Sequence, residues 1–293
     1  MAWDHRAAGK GSNLPFTLSK SRRAGKSSIR LRNRAVFPRF WEQGWAMPLI
    51  VFDVDGTLTQ TTGVDDDCFV RAIRKVLGVE GFSTDWAEYP HATDSGLTNG
   101  ISLRTRGVPA TAAEHAAMHR EFIGLLNQTL AAHPERFMAV PGAAELLRRI
   151  EAEPGWSAAL ATGAWKASAE LKLGAARIGI DGLPFATADD AESRHDIARA
   201  AIARAVGKGS AAHPRLIEQA HERFGGVVYV GDGVWDARTS RDLGLGFVGV
   251  RVRGDEGGLR DAGARRVVRD FVDAERIWTH LKDAATSEGR RWA

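Results

Sequence analysis

At 293 residues the chain can form one large domain or two modest ones, and 44% hydrophobic with 26% charged residues is ordinary globular composition. A single cysteine, Cys68, excludes an internal disulfide, and no apolar run is long enough to span a bilayer, so a cytoplasmic protein with no membrane partner is expected. Charge is unevenly spread: residues 1–46 hold ten Lys/Arg against Asp4 and Glu42, whereas the rest of the chain holds 30 basic against 34 acidic side chains.

Residues 1–46 are rich in Ser, Gly and Arg with no sustained apolar period, so this basic N-terminal extension is expected to be disordered. A basic arm could bind nucleic acid, and that arm is the only feature pointing to such a partner. An Arg- and Ser-rich start could also be a transit peptide. Ser21-Arg22-Arg23 has the look of a twin-arginine signal, but no apolar segment follows it. The simplest reading takes Met47 as the start of the folded protein.

Leu49-Ile-Val-Phe reads as a short strand buried on both faces, and it ends in Asp53-Val-Asp55-Gly56-Thr57. Two carboxylates at alternate strand positions point the same way, which is costly unless a cation lies between them. Leu58–Gly63 is Thr-rich and reads as a short hairpin or flap over that strand end. Helical spacing over 65–79 (Phe69, Ile73, Val76, Leu77) predicts a helix capped by Asp65–Asp67 and stopped by Gly78, with the three acids placed there for dipole complementarity. Residues 81–110 read as irregular. Thr111 caps a helix to about Ala132, in which His115 and His119 lie one turn apart on a solvated face.

From residue 142 onward, strand and helix patterns alternate. A helix runs to Ile150, then a strand over 157–161 ends in Thr162-Gly163, and a helix runs through Leu173. A strand at Phe185, a helix from Ser193 to Val206 and a helix from Pro214 follow. The strand 227–231 ends in Asp232-Gly-Val-Trp-Asp236, and a helix over 235–243, strands at 247–250 and 267–268 and a last helix over 273–281 complete the chain. This alternation predicts a doubly wound parallel α/β sheet, with 47–64 and 141–293 as the core and 65–140 as an inserted, mostly helical cap. In such a sheet the strand ends share one edge, so the acids after the first strand, Thr162 and the acids after the 227–231 strand can converge.

Those motifs, in that order, resemble the haloacid dehalogenase superfamily over roughly residues 47–285. The resemblance implies a Rossmann-like core, Asp53 as nucleophile, Asp55 as general acid/base and Thr162 as the hydroxyl that holds the phosphoryl group. Asp232 and Asp236 match the acidic pair of the last motif, and Arg194 takes the place of a basic residue that many relatives supply as Lys. A phosphate monoester is a dianion, so attack by a carboxylate calls for Mg²⁺ and a cationic side chain. Asp53, Asp232 and the carbonyl of Asp55 would ligate the ion, with Asp236 beside them. Gly56, Thr57 and Gly163 are the accompanying substrate-binding positions. Thr93-Asp94-Ser95-Gly96 resembles a Thr-Asp loop of phosphoglycolate-phosphatase-like members, and His91 and Arg104 are candidates for touching the leaving group.

The expected activity is a Mg²⁺-dependent phosphatase acting on a small phosphorylated metabolite, since the resemblance implies that dehalogenases lack the carboxylate at the position of Asp55. The alternatives are a sugar phosphomutase of the same family and a non-catalytic binding protein with a basic nucleic-acid-binding tail. A monomer or homodimer is expected.

Overall fold

The computed structural model describes residues 47–207 and 210–292. The basic extension and its expected disorder lie outside the described residues.

Among the described residues six strands form one parallel sheet: β1 (Leu49–Phe52), β2 (Ser157–Ala161), β3 (Phe185–Ala186), β4 (Val227–Gly231), β5 (Gly246–Val250) and β6 (Val267–Val268). Their order is β3-β2-β1-β4-β5-β6, with every pairing parallel. Every residue of β1 is buried, as its unbroken apolar run requires between two layers of helices. The chain leaves β1 for β2 on one side and returns to β4 on the other, so β1 lies where the strand order reverses. Ligands of open α/β sheets bind at such a reversal.

Among the described residues ten α-helices flank or leave this sheet: α1 (Thr62–Leu77), α2 (Asp94–Arg106), α3 (Ala112–Ala132), α4 (Ala143–Ala152), α5 (Lys166–Ala175), α6 (Arg194–Val206), α7 (Leu216–Phe224), α8 (Val234–Asp242), α9 (Gly257–Asp261) and α10 (Ala274–Ala285). Strand alternation divides the core into two layers. Ile50 and Phe52 pack with Leu146 and Ile150 of α4 and Leu281 of α10. Leu49 and Val51 pack with Ile197 and Ile202 of α6 and Ala220 of α7. A third apolar cluster joins α1, α2 and α3 through Phe69, Ile73, Ile101, Met118, Phe122 and Leu126. Trp165, from the turn after β2, plugs into that cluster, 2% exposed, with ring centroids 6.2 Å from Phe69 and 6.0 Å from Phe122. A fully buried aromatic of this size accounts for about 3–5 kcal/mol, so Trp165 is a main tie between the inserted helices and the sheet.

The chain departs from the sequence reading in four places. Helix α1 begins at Thr62 rather than at the acidic run, although it stops at Gly78 as expected, with φ +66. Asp65, Asp66 and Asp67 are each held by a specific side-chain partner: Lys172, the Trp86 indole N–H (2.7 Å) and Arg136 (2.6 Å). The segment Leu58–Gly63 is no free flap, because Val140 N donates to Leu58 O and Gln60 N to Met138 O, both at 2.8 Å. Residues 94–106, read as irregular, form α2, and the short α9 was likewise not anticipated. Glycine, serine, threonine and asparagine give α2 a weak local propensity, which burial of Leu97, Gly100 and Ile101 overrides.

Candidate active site

The strand registers bring the polar ends together. Phe52 pairs with Leu160 of β2 and Val230 of β4, so Asp53, Thr162 and Asp232 all lie within two residues of one another along the carboxyl edge. Asp53 is anchored there by its own N–H donating to Val230 O at 2.9 Å. Carboxylate oxygens of Asp53, Asp232 and Asp236 approach within 4.8 Å of one another.

Arg194, at the first turn of α6, inserts its guanidinium among these acids. Its Nη1 donates to Asp53 Oδ1 at 3.1 Å and to Asp236 Oδ1 at 3.0 Å, and its Nε donates to Ala92 O at 3.0 Å. Ser193 fixes the helix start, its hydroxyl accepting from Asp196 N at 3.1 Å. Gly163 makes room for this side chain, because a Cβ there would lie 2.7 Å from Arg194 Nη2 and 2.8 Å from Ala92 O.

The charges do not balance without a further cation. Burial pushes the Asp53 carboxyl up, Arg194 opposes the shift and Asp55 adds to it. Asp236 is pushed up to about 7 by burial, against Arg194 and with Asp53 adding. Asp232 is driven well above the carboxylate range by burial and then by Asp53 and Asp236. Arg194, with Arg251 acting on Asp232 alone, leaves all three clustered carboxyls pushed up, and their all-oxygen donor set suits a hard divalent cation. Gly56 is shaped for the same purpose: at φ +75 it brings the backbone so close to Asp232 that a Cβ would sit 2.1 Å from Oδ2. The residues therefore fit a divalent ion such as Mg²⁺.

A cleft of about 390 Å³ opens over this edge, lined on the core side by Asp53, Asp55, Thr162, Gly163, Arg194 and Asp232. Thr93 and Asp94 face it too, but both are also structural. The Thr93 hydroxyl caps α2 by accepting from Gly96 N at 3.0 Å and donates to Glu192 O at 2.7 Å. Asp94 Oδ2 accepts from Trp165 N at 2.8 Å, and burial, opposed by Lys172, pushes its carboxyl up to about 7. The structure does not bring Thr57 into the cleft. Its hydroxyl is fully buried with no partner among the described residues. Neither His91 nor Arg104 lines the cleft, and Arg104 instead pairs with Glu88 and lies over the Tyr89 ring at 4.4 Å. His119 is not simply solvated, since it contacts Asp189 at 2.9 Å and packs at a tilt of 34° against the Trp165 ring, centroids 4.4 Å apart.

Sequence reasoning missed one residue here. Lys172, on the buried side of α5, is 0% exposed and donates from Nζ to Asp55 Oδ2 at 2.6 Å and to Asp65 Oδ1 at 2.5 Å. The other Asp55 oxygen accepts from Thr61 Oγ1 at 2.6 Å. Burial works against the ammonium, but Asp55, Asp65 and Asp94 outweigh it and keep Nζ charged.

Comparison with known proteins agrees with this geometry. Residues 47–244 match the family model described as haloacid dehalogenase-like hydrolase. A hydrolase from Pseudomonas syringae superposes with TM-score 0.58 at 21% identity, covering 79% of this chain and 98% of that one. A beta-phosphoglucomutase-like protein from Bacteroides vulgatus superposes with TM-score 0.59 at 19% identity, over 84% and 94%. CbbY from Rhodobacter sphaeroides, in complex with phosphate, superposes with TM-score 0.51 at 23% identity, over 77% and 95%. No curated protein matches the chain at a significant level. Among the described residues no helix is long and apolar enough to cross a membrane.

Proposed function

The chain belongs to the haloacid dehalogenase-like hydrolases, and from that premise we propose that it is a Mg²⁺-dependent phosphatase hydrolysing a small phosphate monoester. Asp53, Asp232 and the backbone carbonyl of Asp55 would hold the ion, with Asp236 at its side, and the ion would supply positive charge against the phosphoryl oxygens. Asp53 attacks phosphorus, the ester P–O bond breaks, and Asp55 gives its proton to the departing oxygen. Water then attacks the aspartyl-phosphate, Asp55 takes the proton, and inorganic phosphate leaves with Asp53 restored. Arg194 holds the Asp53 carboxylate in line and cancels charge on the transferred group. Thr162 and the Gly163 amide donate to its oxygens.

The observation that carries this reading is the position of Asp53, between the Arg194 guanidinium at 3.1 Å and the acids Asp232 and Asp236 within 4.8 Å. A carboxylate in that setting can approach a dianion. CbbY, which shares this fold, is seen in complex with phosphate, and that supports a phosphoryl ligand for this chain.

The inserted helices, acting as a cap, would select the leaving group. From residues 65–97 the cleft is lined by Asp65, Asp66, Phe69, Asp85, Trp86 and Leu97 and by no lysine, arginine or histidine. Arg194 and Arg251, both from the core, are the cations facing it. A sugar phosphomutase must hold a second phosphate at the cap, and the absence of a cation from this stretch of the wall favours a monoester whose alcohol carries no further negative charge.

Turnover of para-nitrophenyl phosphate tests the reaction. Activity is expected with Mg²⁺, its loss with EDTA, and a fall of at least about 10⁴-fold in kcat for Asp53→Asn. No turnover with Mg²⁺, or full activity in Asp53→Asn, overturns it. A panel of phosphorylated metabolites should rank glycerol phosphate above phosphoglycolate and glucose bisphosphate, and the reverse order would sink the assignment of the leaving group.

A further inference from the structure

Lys172 has no part in the chemistry set out above, yet it is the most deeply buried cation near the reacting groups. An ammonium with no exposed surface is retained only where acceptors repay its desolvation, and here they come from two different parts of the fold. Asp55 follows β1 on the core, and Asp65 lies in the first turn of α1. Lys172 itself rides on α5, whose preceding turn carries Trp165 into the inserted helices. Both Asp55 oxygens are engaged, Oδ1 by Thr61 and Oδ2 by Lys172, so the direction of this carboxyl is set by those two donors.

We propose that Lys172 is a positioning residue: its ammonium, shared between Asp55 and Asp65, aims the Asp55 carboxyl and makes that aim depend on the seating of α1 against the core. The inference rests on Asp55 acting as general acid in phosphate-ester hydrolysis. An aspartate in the turn three residues past β1 can take more than one χ1 rotamer unless something ties its head, and a proton donor turned away from the leaving oxygen contributes nothing to bond cleavage. Asp65 would hold Nζ from the opposite side, so that the ammonium cannot follow Asp55 if that side chain swings.

A leaving-group comparison separates this role from a merely structural one. Nitrophenolate departs without a proton, whereas phenolate benefits from one, so kcat/KM for phenyl phosphate depends on the acid far more than kcat/KM for para-nitrophenyl phosphate. Lys172→Met should lower kcat/KM for phenyl phosphate by about 100-fold and that for para-nitrophenyl phosphate by no more than about threefold, the range general acid catalysis commands. Removing Lys172 alone leaves two part-buried acids without their shared cation and can cost folding. The double variant Lys172→Met/Asp65→Asn removes that excess charge and should show the same split. Equal losses on both esters in these variants, or none on either, overturn the proposal. A crystal structure of the double variant gives a readout independent of turnover: an Asp55 side chain still in its present orientation also overturns it. Inactivity of the wild-type enzyme on both esters would instead refute the phosphatase reading, and the orientation of Asp55 would still decide the role of Lys172.

Discussion

Gly56 turns the chain at φ +75 directly beneath Asp232, and two costs meet at this residue. Any side chain there pays about 1–2 kcal/mol for the left-handed backbone, and its Cβ would lie 2.1 Å from Asp232 Oδ2 and 2.4 Å from Cγ. Gly56→Ala should therefore push Asp232 out of the acidic cluster and weaken Mg²⁺ binding about 10- to 100-fold. Titration calorimetry of Mg²⁺ into the variant and wild type measures this directly, and equal affinities would remove Gly56 from the account. The acids were legible as positions because they follow apolar strands, whereas Arg194 came only from the family resemblance, and the structure brings its guanidinium beside Asp53 and Asp236. Lys172 was not legible. Its partners lie 117 and 107 residues away, and a lysine within a helical pattern reads as a surface residue. Asp65 was misread for the same reason, since dipole complementarity explains an acid in a first turn just as well until its distant cation is seen.

Between elements, α2 and α3 show what local sequence does and does not carry. Helix α3 announces itself: Thr111 and Glu114 form a reciprocal capping box, with Glu114 N donating to Thr111 Oγ1 at 3.2 Å and Thr111 N to Glu114 Oε2 at 2.7 Å. Helix α2 carries only the hydroxyl half of such a cap, at Thr93, and glycines at 96 and 100 with a run of small polar residues hide it. Those glycines are there for packing. A Cβ on Gly96 would lie 2.4 Å from His91 Cβ, and one on Gly100 would lie 2.8 Å from the Tyr89 ring. The two caps differ in what else they hold, for Thr93 Oγ1 also donates to Glu192 O at 2.7 Å, tying α2 to the loop ahead of Arg194. Thr111→Ala should cost about 1 kcal/mol, the usual loss of a cap, and Thr93→Ala about 2 kcal/mol, because a second, part-buried hydrogen bond to the Glu192 carbonyl is lost as well. Urea midpoints of the two variants check this, and a Thr93→Ala loss no larger than that of Thr111→Ala would show that the Glu192 bond carries no stability.

For the molecule as a whole, the parallel sheet could be read from three apolar runs at 49–52, 157–161 and 227–231, each ending in polar residues. The strand order and the way Trp165 and Lys172 fasten the inserted helices to it could not, since both depend on contacts between distant segments. The same holds for His221 on α7, a residue with no functional signal that nevertheless links two elements. Its Nε2 lies 3.2 Å from Gly244 O, in the turn between α8 and β5, while Nδ1 is buried with no partner among the described residues. Burial, with Arg290 adding to it, pushes the ring down to about 4. The folded protein thus favours the neutral ring, donating from Nε2, and a second proton would place a buried N–H where no acceptor waits. An unfolded histidine titrates near pH 6.5, so this contribution is complete above that pH and drains away as the pH falls from about 6.5 to about 4, where only the unfolded chain binds the proton. The ring is partly solvated, and after allowance for screening the loss comes to about 1 kcal/mol. Urea unfolding at pH 7 and pH 4.5 should show wild type losing about 1 kcal/mol more than His221→Gln over that interval. Parallel losses in the two proteins would mean that the buried ring contributes nothing to the acid sensitivity of the fold.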